Sequence, residues 1–107
     1  MRWTVESLNE TVDREIEALP EDMRARLARI AKLVEEKGLE RMGEPHVKHV
    51  EGQLWEMRLK GRSGISRALY DTAVGRRVVI VRIFVKKAEK TPRREIALAL
   101  YRAKSVE

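Results

Sequence analysis

Along the first forty residues, apolar side chains return at every third or fourth position. Leu8, Val12, Ile16 and Leu19 mark one amphipathic helix, which ends at Pro20. Met23, Leu27, Ile30, Ala31 and Val34 mark a second, with arginines and lysines between them and Gly38 placed to close it. The two form a helical hairpin, preceded by a short strand in MRWTVE. Residues 39–53, LERMGEPHVKHVEGQ, hold two glycines and a proline and are expected to form a loop.

The period then changes from helical to alternating. In LWEMRLK, Trp55, Met57 and Leu59 alternate with Glu56, Arg58 and Lys60, the mark of a half-buried strand. ISRALYDTA and RVVIVRIFV continue the strand character, joined by a turn around Gly75. The second is apolar at nearly every position, which places it inside its sheet. TPRREIALALYRAK returns to helical spacing, with Thr91 as expected cap, Pro92 at the first helical position, and an apolar stripe of Ile96, Ala99, Leu100 and Ala103. The order β-α-α-β-β-β-α predicts an α+β domain: a small antiparallel sheet with an N-terminal helical hairpin and a C-terminal helix, packed on one face.

Composition narrows this picture. At 107 residues the chain is expected to be a single domain, 1–107, with one core. The absence of cysteine removes disulfides and thiolate metal sites. A polar N-terminus and no apolar run of membrane-spanning length point to a cytoplasmic protein without a membrane partner. The net charge of +6 is unevenly placed. Residues 1–52 carry 9 Lys/Arg against 12 Asp/Glu, whereas residues 53–107 carry 14 against 5. A strongly basic, strand-rich half points to a polyanion surface rather than a merely solvated one.

Candidate chemistry follows from the strand period. Glu56, Arg58 and Lys60 share one side of their strand, and Arg82, Phe84 and Lys86 share a side of theirs. Arg67 and Arg82 lie within apolar strands, where an arginine needs either a carboxylate or an anionic ligand. Glu56 or Asp71 are the expected partners if Arg82 is structural. FVKKAEKTPRREI then concentrates Lys86, Lys87, Lys90, Arg93 and Arg94 where a helix begins. The backbone there is already positive, so each exposed cation costs up to ~1 kcal/mol unless an anion such as phosphate is bound. Partial neutralisation by Glu89 and Glu95 is the bland alternative. His46 and His49 lack further ligands and are expected to be ordinary loop residues. Trp55 is expected in the core, and Tyr70 on the face opposite Arg67 unless a bulge intervenes. No nucleotide-binding or nucleophile-elbow motif is present, and no cofactor or metal is expected.

The stretches LWEMRLKGRSGISRALY and FVKKAEKTPRREIALALYRAK, with the apolar strand between them, resemble the RelE/ParE superfamily of bacterial toxins, in particular its HigB-like, phage-derived branch. The resemblance implies a RelE-like fold and the toxin of a type II toxin–antitoxin pair, neutralised by a cognate antitoxin, often a helix-turn-helix protein, through which alone operator DNA would be met. It also implies a ribosome-dependent mRNA endoribonuclease (an mRNA interferase) that inhibits translation, or, as the ParE branch does, a DNA gyrase poison without nuclease activity. By motif match, Arg58, Arg67, Lys86 and Lys87 fall where basic functional residues are expected, and Lys90 joins them as a neighbour of the helix start. RelE uses a tyrosine near the start of its last helix; KTPRRE has none.

For a metal-independent ribonuclease the expected catalytic set is Arg58, Arg67, Lys87 and Lys90, with Lys86, Arg82, Lys60 and Arg94 on RNA phosphates. Arginines would neutralise the phosphorane-like transition state, a lysine would protonate the leaving oxygen, and a lysine or Glu56 would act as base. A nucleic-acid-binding regulator without toxicity is the third reading.

Overall fold

The computed structural model describes residues 2–41, 47–87 and 89–107. The elements, in chain order, are β1 (Thr4–Ser7), α1 (Glu10–Glu17), α2 (Glu21–Lys37), a 3₁₀ turn (Leu39–Arg41), β2 (Val47–Glu51), β3 (Leu54–Gly61), β4 (Gly64–Ala73), β5 (Arg77–Val85) and α3, which is Arg93–Ala103. The five strands form one sheet in the order β1-β5-β4-β3-β2, antiparallel except for the parallel β1–β5 pair at one edge.

Local chemistry explains most boundaries. The Asn9 side chain caps α1 by accepting from the Val12 N–H at 3.1 Å. α2 stops at Gly38, whose φ of 88° suits glycine and whose N–H reaches the Val34 carbonyl. The β4–β5 turn passes through Gly75 at φ 85°. α3 differs from expectation at its start: Pro92 occupies the cap position and Thr91 makes no capping bond, because its hydroxyl is used elsewhere.

Two further differences matter for the site. Val47–Glu51, expected as loop, is an edge strand paired antiparallel with β3. The helices also lie on both faces of the sheet rather than one. α1 and α2 seal the first face, where Val12, Met23, Leu27, Ile30 and Val34 pack on Met57, Leu59, Ala68, Tyr70, Val78, Ile80 and Ile83. α3 lays Ala99 and Ala103, with Ile96 and Leu100, against Leu54, Leu69, Val79 and Val81 on the second face. Burial of these aliphatic side chains, about 1.5–3 kcal/mol each, drives both layers together. β5 is interior, as its apolar run implies, and carries an irregularity: Leu69 pairs with Arg82 but Tyr70 with Ile80, so Val81 is an extra residue. No described helix is long and apolar enough to cross a membrane.

Candidate functional site: a half-covered cationic sheet face

α3 covers only part of the second face. Cross-strand register arranges the remainder in rows running β3 to β4 to β5. Glu56, Leu69 and Arg82 form one row, Arg58, Arg67 and Phe84 the next. Lys60 pairs with Ile65, whose carbonyl accepts the Lys86 N–H at 2.7 Å, extending a third row to Lys86. Members of a row lie about 5 Å apart across each strand pair. The β5–α3 connection, with Lys87 and Lys90 exposed on it, borders these rows. Phe84, Lys87, Pro92 and Arg94 line a cleft of about 500 Å³ at the start of α3.

The cations fall into two groups. Arg67 is committed: it is 3% exposed and its Nε lies 3.4 Å from Oε2 of Glu56, itself 3% exposed. Its guanidinium donates to the Glu89 carbonyl at 2.6 Å and to the Thr91 hydroxyl. That hydroxyl donates in turn to Glu56 at 3.2 Å, which is why it does not cap α3. Arg67 therefore ties the connecting segment down onto β3 and β4.

Arg82 is committed too, but not to Glu56 or Asp71. It forms a two-pronged pair with Glu95, at 2.8 and 3.1 Å, and meets Glu15 of α1 at 3.0 Å. Glu15 also receives Arg102 at 2.9 Å, so this network joins α1, β5 and α3. Its hydrogen bond from Arg82 holds the Glu95 carboxyl below the usual carboxylate range, and the same bond pushes Arg82 up. Arg93 is drawn to Glu51 of β2, which it depresses by hydrogen bonding. Asp71 accepts from Gln53 at 2.8 Å instead.

Arg58, Lys60, Lys86, Lys87, Lys90 and Arg94 make the contrast. Among the described residues none of them has a carboxylate within 4.0 Å. Their surplus charge collects on the open half of the second face and at the N-terminus of α3, where the first N–H groups have no side-chain cap. A phosphodiester is the ligand chemistry such a surface fits.

Other candidates lie elsewhere. Tyr70 faces α1 and α2, is fully buried, and its hydroxyl has no hydrogen-bond partner among the described residues; burial pushes its pKa up. Trp55, expected in the core, is 38% exposed and meets the His49 ring edge-on at 5.0 Å. With Trp3, Leu39, Val47 and Tyr70 it lines a mostly apolar cavity of about 450 Å³ to which, among the described residues, no lysine or arginine contributes. His49 bonds the Gly52 carbonyl at 2.7 Å; His46 lies outside the described residues. Among the described residues no three His, Cys, Asp or Glu side chains converge to hold a metal. Sequence reasoning missed the roles of Glu15, Glu51 and Thr91, because each acts through a partner more than 20 residues away.

Comparison with known proteins places this α+β domain. The chain belongs to the family of phage-derived Gp49-like proteins, which it matches over residues 14–104. Among solved structures it is similar to the archaeal RelE of a RelE–RelB complex from Pyrococcus horikoshii OT3. The TM-score is 0.56 at 20% identity, covering 79% of this chain and 96% of that one. The fold is thus that of RelE, as the sequence resemblance implies. A comparison with curated proteins returns no match.

Proposed function

We propose that the chain is the toxin of a type II toxin–antitoxin pair and that it inhibits translation by cutting mRNA on the ribosome, in the cytoplasm. The observation that carries this reading is the segregation of charge. Carboxylates neutralise Arg67, Arg82 and Arg93, while Arg58, Lys60, Lys86, Lys87 and Lys90 have no carboxylate within 4.0 Å among the described residues and surround one open half-face. The RelE fold supports it, and the similar archaeal RelE was solved with RelB, which supports a cognate antitoxin as partner. Operator DNA would then be met only through that antitoxin.

The chemistry follows from the groups available. The substrate's 2′-oxygen attacks the adjacent phosphorus as its proton leaves to a base. The bond to the 5′-oxygen breaks, and that oxygen takes up a proton, giving a 2′,3′-cyclic phosphate and a 5′-hydroxyl. Arg58 is a guanidinium on the face with no carboxylate within 4.0 Å among the described residues, and it suits the phosphorane-like transition state, whose added charge a two-pronged donor neutralises best. Lys87 and Lys90 are the exposed groups placed to exchange protons with the two oxygens. Arg67, buried under its segment, holds that segment rather than the phosphate. Neither tyrosine serves: Tyr70 is behind the sheet, and Tyr101 sits in the third turn of α3, away from the helix start. With so sparse an acid–base set, a ribosome that positions the mRNA supplies part of the rate.

Mapping mRNA 5′ ends after induced expression tests the proposal. Codon-phased cuts are expected, falling about 100-fold in the Lys87→Ala/Lys90→Ala variant while its melting temperature stays within about 2 °C. Double-strand DNA breaks with intact mRNA would instead identify a gyrase poison.

A further inference from the structure

A second concentration of unpaired cations lies outside this site. The charges of α2 are sorted along the helix. Glu21 and Asp22 open it and Glu35 and Glu36 come near its end, but between Met23 and Val34 every charged residue is a cation: Arg24, Arg26, Arg29 and Lys32. Arg26, Arg29 and Lys32 follow at steps of three, which keeps them on one side of the helix as near neighbours. Beside them the β3–β4 hairpin supplies Lys60 and Arg62. These five cations line an open groove of about 860 Å³ with a single carboxylate, Asp22.

That carboxylate is already spent. Asp22 accepts the Ser63 N–H at 2.8 Å and the Ser63 hydroxyl at 2.7 Å, and these bonds push its pKa down. None of the five cations has a carboxylate within 4.0 Å among the described residues, and the Nε of Arg26 is buried without a hydrogen-bond partner. Like charges packed this closely repel one another, so the groove is built at a cost that a polyanion would offset. Its remaining lining is Ala25, Ala28 and Gly61, with no aromatic or large aliphatic side chain to anchor a protein partner. Lys60 belongs both to this groove and to the sheet-face rows, where Lys86 lies beyond Ile65. The cations therefore continue around the hairpin end from one surface to the other.

We infer that the α2–hairpin groove is a second, non-catalytic track for the phosphate backbone of the same RNA, gripping nucleotides beyond those at the sheet face. This rests on the reading of the chain as an RNA-cleaving protein. The track adds affinity for long RNA and leaves contacts with a fragment that fills only the sheet-face site unchanged.

Fluorescence anisotropy with labelled oligouridylates of about 5 and about 20 nucleotides, across a range of salt, tests it. The variants are Arg29→Ala/Lys32→Ala, both exposed and checked for folding by circular dichroism, and Lys87→Ala/Lys90→Ala at the sheet face. For the longer RNA the α2 variant should bind roughly tenfold more weakly at low salt. Its log–log salt slope should be shallower by about 1.4, the value for two lost phosphate contacts on a single strand. The short RNA should bind as to the wild type. Unchanged long-RNA binding by the α2 variant, with binding lost in the sheet-face variant, would overturn the track and leave the functional reading intact. No effect in either variant would overturn both. Equal weakening for short and long RNA would reduce the α2 charges to a long-range field without contacts. Tighter binding of poly-glutamate than of RNA, lost in the α2 variant, would reassign the groove to an acidic protein.

Discussion

The two faces of the sheet are built from the same strands, residue by residue in alternation, and they solve opposite problems. The face under α1 and α2 buries methionine, leucine, isoleucine and tyrosine with hardly a polar atom, and the buried hydroxyls of Ser66 and Tyr70 there have no hydrogen-bond partner among the described residues. The face under α3 buries charge. Glu56, Arg67 and Asp71 are all at least nine-tenths buried there, each held by a partner. The difference teaches how a small domain can keep a cationic site without unfolding through self-repulsion. On this face it neutralises the arginines it buries and, among the described residues, keeps its spare charge on the half that α3 leaves open and at the start of that helix.

Removing one half of a buried pair should produce the largest effect. Arg67→Ala leaves Glu56 charged and alone beneath the connecting segment, which should cost about 3–5 kcal/mol in urea unfolding. Arg67→Met combined with Glu56→Gln should cost less than the single change, because no charge is stranded. Wild-type stability of Arg67→Ala would place Arg67 among the spare cations after all.

A smaller effect is expected at the edge of the same face. Glu95→Gln removes charge-assisted bonds to Arg82, worth about 2 kcal/mol at neutral pH. The native-state pKa of Glu95 lies below its ordinary 4.5, so its contribution is present above that value and fades as pH falls through the lower native one. Urea midpoints of the wild type should therefore decline between about pH 5 and 2, and those of the variant should decline less steeply. Parallel curves would remove Glu95 from the acid response. The smallest effect belongs to the apolar face. Tyr70→Phe deletes an unpartnered buried hydroxyl and should be neutral or stabilising by up to about 1 kcal/mol, with mRNA cleavage unchanged. A loss of cleavage would mean that the sealed face takes part in the chemistry.

Much of this architecture is legible from local pattern. Trp55, Met57 and Leu59 alternate against Glu56, Arg58 and Lys60 as the strand requires, and Gly38 and Gly75 end their elements through backbone freedom. β2 was not legible, because a five-residue edge strand flanked by glycines is stabilised by its pairing with β3 rather than by its own composition. The stripe on α3 shows that the helix packs but not which face of the sheet receives it, since the path of the β5–α3 connection decides that. The cations of the site were visible as a cluster. Which of them are spent was not, because Arg82 finds Glu15 across 67 residues of sequence and Thr91 exchanges its capping role for a bond to Glu56.

The extra Val81 has a consequence for how the chain tolerates change. From Val78 and Ile80, strict alternation would carry Arg82, Phe84 and Lys86 inward beneath α1 and α2, and turn Ile83 and Val85 out to solvent. The insertion resets the phase halfway along β5, so that Ile83 and Val85 go to the core and the cations emerge on the other side. Because Tyr70 and Leu69 are adjacent on β4, deleting Val81 would leave Ile80 and Arg82 in plain alternation with the cations still outside, whereas drawing Val81 into the pairing would exchange oil for charge along the whole second half of the strand. This protein keeps its charge on the open side of the sheet only while Val81 stays out of the pairing.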